Sequence, residues 1–263
     1  MADGVSGATV DLNADVGESF GRWTLGDDDG LLQLVTSANV ACGFHAGDPS
    51  TLRRTTERAA RCGVSVGAQV SYRDLVGFGR RFMDVRPREL QDDIVYQIGA
   101  LDGFTRLTGR RVTYVKPHGA LYHAVVQHEE QAAAVVGAVT AYARATGTEL
   151  ALLGQPGSAL LTAAEKAGLR TVREAFADRG YDTFGQLLPR DAPGALVTDL
   201  AAVAERAVRM AVKGEVATDD GSVVLVSTES ICVHGDTPGA VEIARTVRTA
   251  LENAGVELSP FAP

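Results

Sequence analysis

Short apolar segments with strand character alternate with helix-like segments along the whole 263-residue chain, and this alternation constrains the fold more than any other feature. Alternation of this kind predicts a parallel sheet whose strands are connected by helices packed outside it. Seven strand–helix units can be distinguished. Their predicted strands are 8–15, 38–42, 64–68, 112–116, 149–154, 170–176 and 230–234.

Helix boundaries are marked by residues that favour helix ends. Asp48-Pro49 is typical of a helix start and Gly63 of a helix end, which predicts a helix over 49–61. Arg86-Pro87 begins a longer helix with apolar residues at helical spacing. Asp236-Thr237-Pro238 begins the last one, which ends near Asn253. Further predictions are helices at 27–37, 129–146, 157–167 and 199–213, and an Asp-Gly hairpin within 218–228.

Polar residues follow nearly every predicted strand. An open doubly wound sheet concentrates function at one switch point, whereas a barrel distributes it over the loops after all strands. The polar segments are DLNADVGE, GFHAGD, GAQVSYRD, KPHGALY, EAFADRGY and VHGD. We therefore predict an α/β fold, a single (β/α) barrel domain over 1–263, with seven strands if the hairpin is an insertion.

Composition excludes several classes of function. The net charge is -8 and no basic block occurs, so we expect no nucleic-acid partner. No apolar stretch approaches the length of about 20 residues that a membrane span needs, and the first residues lack the apolar centre of a signal peptide. Three cysteines without C-x-x-C spacing point to a reduced, cytoplasmic compartment.

The first strand carries polar groups on one face only. Asp11, Asn13 and Asp15 share one parity, and apolar residues share the other. In a barrel the apolar face meets the helices, so the three polar side chains point inward. Inward carboxylates need a cation, donors or water. Glu18, just past the strand, is expected at the rim.

Three of the five histidines stand at strand ends beside a glycine, namely His45, His118 and His234. Their matching positions predict one shared functional site at the mouth of the barrel. The remaining two, His123 and His128, lie beyond a loop and are expected to be solvated.

Weaker signals accompany these histidines. Lys116 shares strand parity with His118, so it is either a site residue or a lysine at the barrel rim. Glu174, Asp178 and Arg179 in EAFADR form either a substrate clamp or an ion pair at the rim. Cys232 precedes His234 by two residues, and a buried thiol is favoured over a nucleophilic Cys–His pair.

Five motifs between residue 10 and about 240 resemble the LamB/YcsF family: VDLNADVGESFG, NVACGFHAGDP, YVKPHGALY, EAFADRGY and ICVHGDTPGA. The family is similar to the seven-stranded barrels of the glycoside hydrolase/deacetylase type. The resemblance implies opening of the 5-oxoproline lactam to glutamate with ATP hydrolysis, as the A subunit of a 5-oxoprolinase with subunits B and C. One motif departs from the family pattern, since Gln69 replaces the histidine of the usual Gly-Ala-His-Pro.

Site roles follow from this implied reaction. Candidate catalytic residues are Asp11, Asp15 and Glu18 as acids or bases, and Lys116 and His118, with His45, where negative charge develops. Helix N-termini after Gly47 or Gly235 are candidate anion seats. The substrate-binding candidates are Asn13, Asn39, His45, Tyr72, Glu174, Asp178, Arg179, His234 and Asp236. ATP is consumed by the complex, and no G-x-x-x-x-G-K-[ST] motif occurs in the chain.

Two alternative functions stay open. One is a stand-alone metal-dependent amidohydrolase or carbohydrate deacetylase, with a divalent ion held by Asp15, His45 and His118. Glutamine is a poor metal ligand beside imidazole, so Gln69 weakens this alternative. The other is a non-catalytic scaffold subunit, which leaves the inward acids of the first strand unexplained.

Overall fold

Seven parallel strands close into a barrel in the computed structural model, which describes residues 7–190 and 192–262. The barrel strands are β1 (Thr9–Val16), β2 (Ser37–Ala41), β3 (Ser65–Val70), β4 (Tyr114–Pro117), β5 (Ala151–Gly154), β6 (Arg170–Phe176) and β9 (Ser230–Val233). They pair in chain order, and β9 closes the ring by pairing with both β6 and β1. The predicted seven-stranded barrel is confirmed.

Helices connect consecutive barrel strands on the outside. They are α1 (Asp28–Leu31), α2 (Pro49–Cys62), α3 (Pro87–Arg106), α4 (Gly119–Gln127), α5 (Glu129–Thr146), α6 (Ala159–Lys166), α7 (Leu200–Lys213) and α8 (Ala240–Asn253). The capping signals explain α2, because the Asp48 carboxylate accepts hydrogen bonds from the amides of Ser50 and Thr51. Gly63 ends the helix in a left-handed conformation with φ of 74°.

Two helix predictions differ from the structure, and one helix of the structure has no counterpart among the predictions. The segment 27–37 contains only the single turn of α1. Helix α4 was not predicted, since Gly119 at its start is a weak helix former that obscures the pattern. The last helix begins at Ala240 rather than Asp236, because the Asp236 carboxylate contacts arginine side chains instead of capping the helix.

The predicted hairpin is present before the last barrel strand, with strands that begin three residues earlier than expected. Strands β7 (Glu215–Ala217) and β8 (Val223–Leu225) pair antiparallel in a separate two-stranded sheet. None of the described helices combines the length and hydrophobicity that a membrane crossing requires.

The C-terminal segment closes the amino end of the barrel. Strand β10 (Glu257–Leu258) pairs with β1, and the Ser65 hydroxyl donates to the Ala262 carbonyl. The ring of Phe261 packs edge-on against Tyr114 inside the barrel, with centroids 4.8 Å apart. In the described chain this segment covers the amino end of the barrel.

Apolar residues of helices and strands form the core between the two layers. The alternate apolar residues of β1 face this core, as the strand pattern predicted; they are Val10, Leu12, Ala14 and Val16. In α3 the four residues at helical spacing, Leu90, Ile94, Ile98 and Leu101, are fully buried. Helix amphipathicity and strand parity thus specify one continuous apolar layer.

We predict that Leu101→Ala lowers the free energy of unfolding by about 2–5 kcal/mol, because it leaves a cavity in this layer. Leu107→Ala, one residue past α3 and 67 % exposed, is the matched control and should change it by no more than about 0.5 kcal/mol. Urea denaturation followed by circular dichroism measures both. Equal effects of the two variants would contradict the assignment of the buried face of α3.

Candidate active site

A cavity of about 620 Å³ opens at the carboxyl end of the barrel. Its wall contains residues from strand ends, from α4 and from the long segment after β6. They are Asp15, Arg80, Phe82, Lys116, Pro117, His118, Gly119, Ala120, Tyr122, His123, Ala124, Phe176, Arg179, Leu187, Pro189, Arg190 and His234. The chemistry of the cavity depends on four groups of contacts below and around this wall.

Asp11, at the amino end of β1, is held deep inside the barrel. Its carboxylate accepts hydrogen bonds from the hydroxyls of Thr36 and Ser37, both at 2.6 Å, and from Ser230. Burial raises the pKa of Asp11 to about 6, although these hydroxyls oppose the change. Asp11 lies below the cavity and does not line it.

Hydrogen bonds continue from this level towards the cavity. The Asn39 amide donates to Asn13 at 2.7 Å and to Asp15 at 2.8 Å, and the Tyr114 hydroxyl donates to Asn39 at 2.8 Å. Asn13 donates to the Ser230 hydroxyl. The inward orientation predicted for the polar face of β1 is confirmed. Of its three residues, only Asp15 reaches the cavity wall.

Lys116 is the centre of the cavity floor. Its Nζ lies 3.1 Å from Asp15 Oδ1, 2.7 Å from Glu174 Oε1 and 3.2 Å from Cys232 Sγ. Burial opposes the charged ammonium, but Asp15, Cys232 and Glu174 raise the pKa of Lys116 well above its usual range. Burial would likewise raise the pKa of Asp15, yet Lys116 and then His118 keep it below its ordinary value. Lys116 and Asp15 are therefore a buried, fully charged pair.

Lys116 and its partners are the first group of contacts. The second group, His45, His118 and Glu18, is uncharged and lies beside it. The rings of His45 and His118 stack with centroids 4.4 Å apart, and His118 Nε2 lies 3.8 Å from Glu18 Oε1. Burial lowers the pKa of His45 to about 4, and burial together with His45 lowers the pKa of His118 well below its usual range. Burial and the nearby Asp15 raise the pKa of Glu18 well above its usual range.

Gln69 connects two members of this group. Its amide nitrogen donates to Glu18 Oε1 at 3.1 Å, so its oxygen is the partner of His45 Nε2 at 3.0 Å. This network assigns the proton of His45 to Nε2. The Nδ1 atoms of His45 and His118 are buried without a hydrogen-bond partner in the part of the chain that the structure describes.

A carboxylate and an imidazole form the third group. His234 Nδ1 lies 2.8 Å from Asp178 Oδ2, and the imidazole stacks on Phe176 with centroids 5.3 Å apart. Burial raises the pKa of Asp178, but His234 and Arg179 together outweigh burial, and the net change is a lowered pKa. His234 lines the cavity, and its Nε2 has no partner among residues 7–190 and 192–262.

Arginines from two loops surround the mouth and form the fourth group. Arg80 Nη2 lies 2.5 Å and Arg190 Nη1 3.8 Å from the same oxygen of Asp236. The buried Arg179 donates from Nε to the Ala195 carbonyl at 3.0 Å and from Nη2 to the Leu188 carbonyl at 2.6 Å. Asp236 thus belongs to the arginine group at the mouth.

The charged EAFADR residues form no ion pair with one another, and each has a different partner. Glu174 lies within β6 and contacts Lys116, Asp178 binds His234, and Arg179 binds carbonyl groups. Glu174 points into the barrel from within the strand, whereas the turn that follows the strand redirects the other two. Cys232 contacts Lys116 rather than His234, and burial raises its pKa, which describes a buried thiol.

Some predicted site residues lie away from the cavity. Tyr72 belongs to the apolar core, where its hydroxyl binds Gln131. His45 is fully buried beneath His118, because the turn between Gly43 and Gly47 directs it inward rather than to the mouth. The anion seat after Gly47 is filled by the capping carboxylate of Asp48.

Sequence reasoning missed residues that reach the cavity from loops and from α4. Arg80 follows the third strand in GFGRR, and Tyr122 follows the KPH motif, so both stand in segments close to polar strand ends. Arg190 gave no signal, because it lies far from any strand end. His123 is exposed as predicted, yet it lines the mouth, and His128 is half-buried at the start of α5.

The sequence model of the LamB/YcsF family matches residues 10–263. The chain belongs to the LamB/YcsF family. A relative from Streptomyces avermitilis, which is named as the A subunit of 5-oxoprolinase, is 59 % identical over 253 residues, which cover 96 % of this chain and 100 % of the relative. The crystal structure of the lactam utilization protein from Thermus thermophilus shares 46 % identity and a TM-score of 0.90, with 96 % of this chain and 100 % of that chain covered.

More distant structural neighbours share only the fold with this LamB/YcsF chain. A polysaccharide deacetylase from Bacillus cereus is 14 % identical with a TM-score of 0.51, covering 97 % of this chain and 92 % of its own. The expected likeness to deacetylase-type barrels is confirmed at the level of architecture.

The buried ion pairs of Lys116 with Asp15 and Glu174 allow a prediction about stability. Lys116→Met removes the cation between Asp15 and Glu174, so we expect the free energy of unfolding to fall by about 3–5 kcal/mol at pH 8. Lys166→Met, at the exposed end of α6, is the matched control and should stay within about 0.5 kcal/mol of the wild type. Urea denaturation at several pH values measures both.

The loss in Lys116→Met should shrink as the pH is lowered. Without the ammonium, burial raises the folded-state pKa of Asp15 above its unfolded value, so protonation stabilises the folded variant at low pH. Its stability then falls as the pH rises through that interval. A loss that is equal at pH 5 and pH 8 would show that Lys116 does not neutralise buried carboxylates.

Proposed function

We propose that this chain is the A subunit of an ATP-dependent 5-oxoprolinase, which opens the lactam of 5-oxo-L-proline (pyroglutamate) to L-glutamate. The observation that carries the proposal is the identity of 59 % over the whole length of a relative with that name. The chemistry of the cavity supports it, because a carboxylate, imidazoles and cations line one space of small-molecule size.

Lactam opening needs an activated carbonyl and a base for water. In the proposed route ATP phosphorylates the amide oxygen, and water then adds to the ring carbon. The tetrahedral adduct loses the C–N bond, and the ring nitrogen takes up a proton as the amine forms. The resulting acyl phosphate is hydrolysed to glutamate and phosphate. The protein must therefore supply a proton acceptor, a proton donor and cationic groups near the oxygen.

His234 is the best-placed base for water in this route. Asp178 orients the ring through Nδ1 and leaves Nε2 without a partner in the described chain, which is the arrangement that a general base requires. Asp15 is a weaker candidate because Lys116 holds its pKa low, and Asp11 lies below the cavity. We assign Lys116 and His118, which line the cavity, to the side where negative charge develops. Glu18 is buried behind His118, outside the cavity wall, and burial raises its pKa, so we assign it to proton donation by way of that imidazole.

A metal-dependent amidohydrolase is the second candidate function, and one observation favours it. Glu18, His45 and His118 each offer a ligand atom within 4.8 Å of the others. Burial keeps both histidines neutral, and neutral imidazole is the form that binds metals, so this group fits a divalent cation. These residues, with Glu18 in place of the predicted Asp15, would hold the ion. When bound, it would polarise a carbonyl oxygen as a Lewis acid.

Subunits B and C belong to the same proposal. ATP consumption is assigned to the assembled complex, and the lack of a P-loop motif in the chain is consistent with an ATP site that needs partners. Placement in the cytoplasm rests on three cysteines, all free in the structure.

Reconstitution tests the assignment. The purified chain alone should form little glutamate from 5-oxoproline and ATP, whereas its mixture with subunits B and C should form glutamate at a rate that depends on all three. Released glutamate is the readout, and metal analysis of protein purified without added ions separates the second candidate. Full activity of the isolated chain would refute its assignment to a complex of three subunits.

His234→Gln should reduce glutamate formation by the reconstituted complex by about 10²–10⁴-fold, because it removes the base. His128→Gln is the matched control, since His128 caps α5 outside the cavity wall and should leave the rate unchanged. Circular dichroism checks that both variants are folded. Wild-type activity in His234→Gln would return the role of base to Asp15.

A further inference from the structure

Permanent cations outnumber carboxylates in the cavity wall. Arg80, Lys116, Arg179 and Arg190 line it, and Asp15 is the only carboxylate among the described lining residues. Lys116 is already neutralised by its buried partners, so the excess positive charge lies with the three arginines of the mouth. In a chain of net charge -8, such an excess is local and directed at the cavity.

Arg179 is the least expected of these cations. It is only 2 % exposed, and its guanidinium is fixed by two backbone carbonyls. No carboxylate oxygen of the described chain lies within ion-pair distance of it, and Asp178, the carboxylate whose charge acts on it, is already paired with His234. A buried charge without a counter-ion is costly, whereas one that faces a cavity can be neutralised by a bound anion.

Arg80 and Arg190 add to this charge from opposite loops. Both contact one oxygen of Asp236, and their side chains remain 36 % and 29 % exposed. A single carboxylate cannot neutralise two guanidiniums. The planar donors of arginine match a carboxylate ligand in two-point contact better than an ammonium group does.

The arginines are close to the proposed base. Arg179 and Arg190 line the same cavity wall as His234, and the charges of these two arginines and of His234 all act on His123 in that wall. Asp236, which holds Arg80, follows His234 by two residues. A ligand with its amide at His234 and an anionic group a few bonds away would therefore place that group among the arginines.

We propose that Arg80, Arg179 and Arg190 form an arginine rim that binds the carboxylate of the lactam substrate. The inference rests on the proposed function and adds to it the group by which the substrate is recognised. The rim selects cyclic amides that carry an acid next to the ring nitrogen, and it orients the ring so that its carbonyl lies towards Lys116 and His118.

The test compares two lactams that differ only in this carboxylate, 5-oxoproline and 2-pyrrolidinone, by calorimetric titration of the full-length chain. Arg190→Gln is the main variant. The only ion pair of Arg190 within the described chain is its 3.8 Å contact with Asp236. Arg88→Gln, on the exposed face of α3, is the matched control. Inorganic phosphate is titrated as the competing anion.

Wild-type protein should bind 5-oxoproline at least about 10-fold more tightly than 2-pyrrolidinone. Arg190→Gln should weaken the binding of 5-oxoproline about 10- to 100-fold and leave the binding of 2-pyrrolidinone unchanged. In the reconstituted complex the same variant should raise KM and leave kcat unchanged. Arg88→Gln should alter none of these values.

Different failures identify different errors. If the wild-type chain and the complex bind neither lactam, the proposed function fails. If 5-oxoproline binds but Arg190→Gln has no effect, the arginine rim is refuted while the function stands. If Arg190→Gln weakens only the binding of inorganic phosphate, the rim recognises a phosphate group and the assignment to the carboxylate is overturned.

Discussion

The ion pair between Lys116 and Asp15 lies inside the barrel, and much of the surrounding structure serves to keep it there. Lys116 comes from β4, Asp15 from β1 and Glu174 from β6, so the contact crosses the barrel and fixes three strands relative to one another. Two separated charges at this depth would each cost several kcal/mol. The pair is tolerable only because Asn39 donates to Asp15 and the second carboxylate completes the surroundings of the ammonium.

This pair requires an unusual interior. Most barrels of this kind fill their centre with branched apolar side chains. Here the centre holds Asp11, Asn13 and Asn39 with their serine and tyrosine partners, and each of these three side chains has a hydrogen-bond partner. Phe261 packs against Tyr114 at the amino end. The polar interior continues to the carboxyl end of the barrel, where the cavity lies.

The site separates charged from neutral groups over a few ångströms. Lys116 keeps Asp15 ionised, while burial keeps His45 and His118 neutral and favours the protonated form of Glu18. Carboxyl groups whose pKa values are displaced in opposite directions can act as acid and as electrostatic partner at one pH. Gln69 joins His45 and Glu18 without bringing a charge. Its hydrogen bonds oppose both pKa displacements, and burial outweighs them.

The sequence by itself determined the barrel, the helix ends at Asp48 and Gly63, and the inward face of β1. These features depend on periodicity and capping within a few neighbouring residues, and such local rules act before any distant contact is made. The pattern also identified strand-end residues that the structure brings together, among them Lys116 and His118.

Only the tertiary structure decided which of these residues touch. Strand register and barrel closure pair Lys116 with Glu174, and the turn after β6 brings Asp178 to His234. The same closure places Glu18 rather than Asp15 beside the stacked histidines, and it buries Tyr72 in the core. Such contacts join residues far apart in the chain, and their distances are fixed by packing that no short stretch of sequence encodes.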